Sequence, residues 1–586
     1  MGFSKRNPSF TSVEDIVKAN TGMTKEELLC DSRSYAVTHL SEAEVMIRDQ
    51  LISGDGVFIF GDYDVDGITS TRILQDTFVR YACNSYRVWS RLPKRFTEGY
   101  GAKPDAIREH ALEGRLLILV DNGIKCFDAV KAAKECGMKV VILDHHEPEI
   151  DSTGEPVLPE ADVIVDPKVF HGDFDQYCGA GLALKLVEAL ANDPEMMQRT
   201  CSDADHLIRK AKALAALGTV CDQVPLVGEN RRIVREGLEI INDAIASNND
   251  SQELTMGLFA LIQELGIEQV TEKNIGFKIG PCINAWGRLE DEGAAVVANY
   301  LKYDRYKSRA KLHAEEIIAR NELRKELSEK WYDAATDYIT NCRMENDYPI
   351  VLHLAGMPEG IAGLIAGRIA EAYETPSFIF SDTPDKDVIK GSARSDGNVD
   401  INALLSKHSD LMIVFGGHKG AAGLSIHTVD IGKFRETLQK DLGQKPVVIK
   451  GDTCYDLEIS PADIPNRLQD VLLYGPYGEG NPAPEFLVRG LMAIPDGGAF
   501  YKELAKNGVK IQVANAACIT FDASDKFRQL GAPKRFDAVG TLGTNVFRGN
   551  ITTQLEFTDV EPAEAAVRSK SPLLMALERK AVERSA

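Results

Sequence analysis

The chain has 586 residues, 67 of them basic and 88 acidic, for a net charge of −21, and 44% are apolar. That length exceeds what one hydrophobic core supports, so several domains are expected, and the apolar share excludes a disordered chain. The acid excess argues against nonspecific coating of duplex DNA, while leaving room for a narrow basic channel around a single strand. No apolar run reaches membrane-spanning length, and the start Met1-Gly2-Phe3-Ser4-Lys5-Arg6 lacks a signal core, so no membrane contact and a cytoplasmic location are expected. Eleven cysteines without a CxxC pair predict reduced thiols and give no case for zinc.

In chain order, the first informative element is Val57-Phe58-Ile59-Phe60, a short buried strand, running into Gly61-Asp62-Tyr63-Asp64-Val65-Asp66-Gly67. In an extended segment alternate residues point the same way, so Asp62, Asp64 and Asp66 are expected to converge at the strand end. Three converging carboxylates repel and call for a cation, and hard oxygen ligands favour Mg²⁺ or Mn²⁺. The competing reading is a solvated acidic turn.

A helix is predicted from Ile68 to Tyr81, and a second buried strand, Leu116 to Val120, ends in Asp121-Asn122-Gly123. A helix from Phe127 to Cys136 follows, then a third strand, Val140 to Leu143, ending in Asp144-His145-His146. Alternating strand and helix predict a parallel sheet with helices on its faces, and ligands of such sheets sit beyond the carboxyl ends of the strands. Asp222 follows an apolar helical stretch, Ala211 to Leu217, and reads either as a cap or as one more ligand.

From about Ala295 to Thr340 the chain lacks Gly and Pro, which predicts one long helix, its mixed charges suiting a solvated connector. Strand Ile350 to Leu354 and helix Ile361 to Tyr373 open a second α/β domain, ending near a Gly416-Gly417-His418 turn. From about Pro446 to Val560, short alternating strands such as Ile551 to Phe557 predict a small β-barrel. There Tyr501, Phe521, Phe527 and Phe547 interleave with Lys502, Lys506, Lys510, Lys526, Arg528 and Arg548, a mixture suited to stacking bases and tracking phosphates. Most of these rings should fill the core, with one or two facing a strand. A short helix is expected at Leu573 to Val582, as a partner contact or a frayed end.

Asp62 to Gly67, Val120 to Gly123, Asp144 to Pro148 and Gly218 to Leu226, in this order, resemble the four motifs of the DHH phosphoesterase superfamily. The likeness is strongest to its single-strand-specific 5′→3′ DNA exonucleases. It continues through Arg95 to Gly101, Cys178 to Gly181, Ile283 to Arg288, Gly391 to Ser395, Gly416 to His418 and Gly475 to Pro482, spanning about residues 50–560. Trp286 stands where a small residue is usual and Cys221 where Ala is; neither removes an expected ligand, and Trp286 is read as packing.

The resemblance implies an N-terminal segment (1–50), a DHH catalytic domain (51–295), a connecting helix (296–345), a DHHA1 substrate-binding domain (346–445), an OB-like nucleic-acid-binding domain (446–562) and a tail (563–586). The fold class is thus α/β, with a parallel-sheet DHH domain and a second α/β domain joined by a long helix, plus a C-terminal OB-like β-barrel. It further implies two divalent cations, Mn²⁺ or Mg²⁺. Asp64 and Asp121 would hold one, with Asp62 a further candidate, and Asp66, Asp121, His145 and Asp222 the other. His146 would orient the scissile phosphate, supported by Asp144. Arg288, Ser392 and Arg394 would grip a 5′-terminal phosphate and His418 a neighbouring one. The substrate would be single-stranded DNA with a 5′ end, hydrolysed to 5′-mononucleotides in recombination and repair, with a single-strand-binding protein and a helicase as partners. Alternatives are a phosphodiesterase for short oligoribonucleotides or cyclic dinucleotides, and a Cdc45-like replication scaffold without catalysis.

Overall fold

The computed structural model describes residues 2–30, 33, 35–111, 115–200, 204–302, 306–446 and 451–563. They form two compact units, the larger comprising 33–446 with 476–481, the smaller 2–30, 451–475 and 482–563.

The larger unit is built on two sheets. The first is fully parallel, with strands β1 (Val57–Phe60), β2 (Val88–Arg91), β3 (Leu116–Val120), β4 (Lys139–Leu143) and β5 (Val163–Val165) in the order β2-β1-β3-β4-β5. Strands β1 and β3 are buried throughout, which explains their unbroken apolar runs. The strand order reverses between β1 and β3, so a crevice is expected at their carboxyl ends. Helices α1 (Val65–Tyr81), α2 (Phe127–Glu135), α3 (Gly179–Asn192) and α4 (Ala204–Cys221) follow in the chain. Helix α1 starts three residues before the predicted Ile68, because Asp64 caps it by accepting from Gly67 N at 3.0 Å.

Beyond α5 (Gly280–Leu289), the stretch predicted as one helix is two, α6 (Gly293–Leu301) and α7 (Lys307–Cys342). Tyr306 is extended (φ −133°, ψ 103°), so α7 starts afresh without any Gly or Pro to separate it from α6. The long-connector expectation holds for α7 alone. Its 36 residues bury Ala310, Ala314 and Ile317 in the core of the first sheet, and Ala335 and Ile339 in the core of the second.

That second sheet contains β6 (Ile350–His353), β7 (Ser377–Asp382), β8 (Val388–Arg394), β9 (Val414–His418) and β10 (Ala421–His427), ordered β9-β10-β8-β7-β6. Only β6 and β7 run parallel; the other pairs are antiparallel. Helix α8 (Ala362–Tyr373) packs on this sheet. The expected Gly416-Gly417-His418 turn is instead the end of β9, since Gly417 and His418 keep ladder pairing with Ala422 and Ala421.

In the smaller unit seven strands form one mixed sheet, from Leu457–Ile459 at one edge to Lys502–Glu503 at the other. These edge strands are not hydrogen-bonded to each other, so among the described residues the barrel does not close. Residues 2–30, expected as a segment of their own, join this unit. Phe3–Lys5 pairs in parallel with Thr453–Tyr455, and Arg6 bridges Asp456 and Glu485 at 2.6 and 2.5 Å. Phe527 is buried and Tyr501 half-buried, while Phe521 and Phe547 are 47% and 62% exposed. The helix expected at Leu573 to Val582 lies outside the described residues. Among the described residues no helix is long and apolar enough to cross a membrane, and the described cysteines are free thiols.

Candidate active site

The carboxyl edge of the first sheet collects the acidic residues, though not as an extended ladder. Asp62 lies in the loop after β1, Asp64 caps α1, and Asp66 sits in the first turn of α1. The expectation that three alternate residues of one extended segment point together is therefore corrected: helix α1 begins at Val65, and convergence comes from the strand–loop–helix bend. Asp121 directly follows β3 with φ of +60°, a left-handed conformation costly for a non-glycine residue and typical of functional sites. Asp144 follows β4, and its N–H donates to Val165 O of β5 at 3.0 Å. Asp222 follows α4 directly.

His145 is the hub. Its Nε2 lies 3.0 Å from Asp121 Oδ1, 3.7 Å from Asp222 Oδ2 and 3.8 Å from Asp66 Oδ2. Burial, with the charge of His146, lowers its pKa to about 4, leaving a neutral imidazole able to offer a lone pair. His146 is the opposite case. Burial works against its charge, but the Asp144 carboxylate, 2.7 Å from Nδ1, raises it to about 9. Burial would raise Asp144 too; the two histidines and the N–H groups of Ile124 and His145 hold it below the usual carboxylate range.

The remaining carboxylates are not neutralised by protein. Among the described residues no lysine or arginine pairs with Asp62, Asp64, Asp66, Asp121 or Asp222. Burial, then mutual repulsion, pushes Asp62, Asp121 and Asp222 well above the ordinary carboxylate pKa. Asp62 Oδ1 is buried without a hydrogen-bond partner. Ligand atoms of Asp62, Asp64 and Asp121 lie within 4.8 Å of one another, as do those of Asp66, His145 and Asp222, and those of Asp121, His145 and His146. Hard oxygens with one neutral imidazole fit divalent cations of the Mn²⁺ or Mg²⁺ kind.

Two contributors carried no role in the sequence reading although their motifs were visible. The N-terminal amides of α3 donate to Asp66, Gly179 N to Oδ2 at 2.6 Å and Ala180 N to Oδ1 at 2.9 Å. A Cβ at Gly179 would lie 2.6 Å from Asp121 Cβ, so only glycine fits there. Tyr100 Oη lies 3.1 Å from His146 Nδ1 and 3.4 Å from Asp121 O. A glycine opening a helix just after a polar loop, and a tyrosine between glycines, were the available signals.

A basic group lies within electrostatic reach of the acids but forms no ion pair with them among the described residues. Arg288 lies in the last turn of α5, donating to Gly360 O at 3.4 Å; burial and the like charges of Arg95, Arg324 and Arg394, against the pull of Asp64, lower its pKa to about 9. Ser392 and Arg394 share one face of β8, and Gly363 leaves the room Arg394 occupies: a Cβ there would sit 2.9 Å from its Nη2. His418 is exposed at the end of β9, its Nδ1 accepting from Gly420 N at 3.2 Å. Trp286 is buried, donating to Glu290 at 2.9 Å and stacking under Arg320, as packing requires.

A family model described as the DHH family, N-terminal domain, matches residues 56–219, the DHHA1 domain matches 346–444, and the RecJ OB domain matches 455–559. The single-stranded-DNA-specific exonuclease RecJ of Bacillus subtilis (strain 168) is 30% identical over 549 residues, 90% of this chain and 64% of that one. The chain thus spans just under two thirds of that relative's length. RecJ from Thermus thermophilus in complex with Mn²⁺ shares the fold, with a TM-score of 0.73 over 99% of this chain and 83% of that one at 24% identity. An exonuclease RecJ bound to manganese matches at TM-score 0.57 and 28% identity, over 70% of this chain and 96% of that one. With three family models matched in order along one sequence, the chain carries a DHH domain, a DHHA1 domain and a RecJ OB domain, the series found in RecJ-type DHH/DHHA1 proteins.

Proposed function

We propose that the protein is a metal-dependent 5′→3′ exonuclease that degrades single-stranded DNA to 5′-mononucleotides. The observation that carries this reading is the pairing, in one unit, of a buried cluster of carboxylates lacking cations with a cluster of guanidiniums lacking carboxylates. Asp64 and Asp121, with Asp62, would hold one divalent ion, and Asp66, Asp121, His145 and Asp222 the other. Bound there, the ions would polarise the phosphodiester and supply an activated water at neutral pH.

The chain's own groups prepare that chemistry. The α3 amides fix Asp66 by taking one lone pair on each oxygen, leaving others for a ligand. His146, kept cationic by Asp144, would stabilise negative charge on the scissile phosphate. Arg288, Ser392 and Arg394 would bind the terminal 5′-phosphate, whose two charges suit guanidinium forks, and His418 a neighbouring phosphate. Phe521 and Phe547, the two exposed rings among the described residues of the smaller unit, suit base stacking. A single-strand-binding protein and a helicase are the partner classes that would present such a strand, in recombination and repair in the cytoplasm.

The test is digestion of a 5′-phosphorylated, 3′-labelled single strand with Mn²⁺, Mg²⁺ or EDTA, beside a duplex and an RNA of the same sequence. Metal-dependent shortening from the 5′ end, on single-stranded DNA alone, is expected. Metal binding without degradation would indicate a scaffold, and preference for very short RNA an oligoribonuclease.

A further inference from the structure

The helical segment that bears Arg288 begins well before it. Glu272–Asn274, the π-turn Ile275–Ile279 and α5 run on without a break, since Asn274, Ile275, Ile279 and Gly280 all keep right-handed helical backbone angles. Two glycines bring this segment against the acidic edge. A Cβ at Gly280 would collide with Cys221 Sγ, next in the chain to Asp222, and one at Gly287 would lie 3.7 Å from the carbonyl of Tyr63, between Asp62 and Asp64. At 3.6 residues per turn, the face beside that contact carries Asn284 and Arg288, then Pro281 and Phe277. Burial marks the same stripe: from Gly280 to Arg288 only Pro281, Asn284 and Arg288 escape full burial. Asn284 Oδ1 is buried and has no hydrogen-bond partner in the protein, so a donor from outside can complete it. Phe277 closes the stripe at its far end. Its ring is 81% exposed, while Ile275 and Ile279 to either side are buried. Lys278 beside it is exposed and, among the described residues, pairs with no carboxylate.

A single exposed ring is ordinary on a protein surface. This one is set apart by its place. It stands on the helix face of Arg288, about 16 Å along the axis at 1.5 Å per residue, on a turn of the kind that recurs at functional sites. The same segment packs on the chain stretches that carry the acids, and an unpaired cation adjoins the ring. We propose that Phe277 is a specificity-determining residue, a platform on which one base of the bound single strand stacks a few nucleotides inward from its 5′ end. Lys278 meets the adjoining phosphate. A flat ring accepts any base, so the platform discriminates by strandedness and not by sequence: a base in a duplex must first be unstacked and unpaired to reach it. The proposal rests on the single-strand reading above and adds to it a contact outside the metal and phosphate groups.

The test is equilibrium binding in EDTA, by fluorescence anisotropy, of a 5′-phosphorylated single-stranded DNA oligomer. Beside it runs a set in which an abasic site replaces one nucleotide at a time, counted from the 5′ end. Phe277→Ala should weaken binding of the intact oligomer about fivefold to tenfold. Phe277→Tyr should restore most of that loss, and Phe277→Leu, apolar but without a π-face, should behave as the alanine variant does. In the wild-type protein one abasic position should cost the same factor. At that position alone Phe277→Ala should cost nothing more, the mark of a direct contact. Penalties that add at every position, or an intact-oligomer affinity unchanged by Phe277→Ala, would overturn the proposal and leave the single-strand reading standing. Equal weakening at every position with a fall in Tm would likewise overturn it, by assigning the ring to the fold. Failure of the wild-type protein to bind the strand would take down the single-strand reading and the proposal together.

Discussion

The carboxyl edge of the first sheet and the arginine group around Arg288 are electrostatic opposites inside one unit. At the first, buried acids crowd a single neutral histidine, and burial with repulsion lifts their pKa values. At the second, guanidiniums crowd one another, and burial with repulsion lowers that of Arg288. Direct pairing of acids with arginines would have been the stabilising arrangement, yet among the described residues no ion pair joins them: Asp121 follows β3 while Arg394 ends β8, and Arg95 acts on Asp62 and Asp64 on Arg288 only at longer range. Strain of this kind is retained where ligands of opposite charge complete each site. On the proposed reading the two groups would divide the work, one for bond cleavage and one for recognising the end.

That division can be broken most sharply at the acidic edge. Asp121→Ala should reduce turnover by at least about a thousandfold in a Mn²⁺ assay, since it removes the carboxylate common to two of the three ligand groups. Binding of a 5′-phosphorylated strand in EDTA should change less than about twofold; a parallel loss of end discrimination would mean the sites are not separate. Gly179→Ala should lower kcat about a hundredfold, because its Cβ would lie 2.6 Å from Asp121 Cβ and displace the amides that hold Asp66. Circular dichroism must show the fold retained, and unaltered turnover would remove the α3 terminus from the site.

On the basic side, Arg394→Ala should cost about tenfold to thirtyfold in kcat/KM on 5′-phosphorylated ends, with little change on 5′-hydroxyl ends. An unchanged preference would take Arg394 out of the anchor. The metal provides a complementary reading. Mn²⁺ at a hundredfold excess over its Kd should stabilise the protein by about 2.7 kcal/mol, read as a rise in Tm, by binding only the native state. Arg394→Ala should keep that rise and Asp121→Ala should lose most of it.

The acidic edge was largely legible in the sequence because each contributor follows its own apolar strand or helix by a few residues at most. Alternating β and α segments then place those strand ends on one edge. What misled was conformation: Asp62, Asp64 and Asp66 read as an extended run, because spacing carries no sign of a helix starting at Val65. The basic group was legible only through motif resemblance. Arg288 and Arg394 are carried by α5 and β8, and no spacing rule links residues so far apart. The split of the predicted long helix was illegible for the same reason, since neither Gly nor Pro marks Tyr306. The N-terminal strand was hidden more deeply, because Phe3–Lys5 pairs with Thr453–Tyr455, some 450 residues away.

The smallest expected effect lies outside both groups, in the smaller unit, and tests whether that unit contributes to binding. Phe547 and Asn550 close the hairpin of the two longest strands there, with Arg548 and Gly549 both at positive φ between them. Phe547 is 62% exposed, and the Arg548 guanidinium lies 5.2 Å from its ring centre. A ring left in water at a hairpin tip adds nothing to the core, so its removal should leave Tm unchanged. Stacking one base on it is worth about 1–3 kcal/mol, of which the lower end is expected at so open a position. Phe547→Ala should therefore weaken binding of a long single strand about fivefold, through KM and not kcat. A dinucleotide, held by the catalytic groups alone, should be cleaved as before. Equal loss on both substrates would mean that the hairpin acts on the fold and not on the strand.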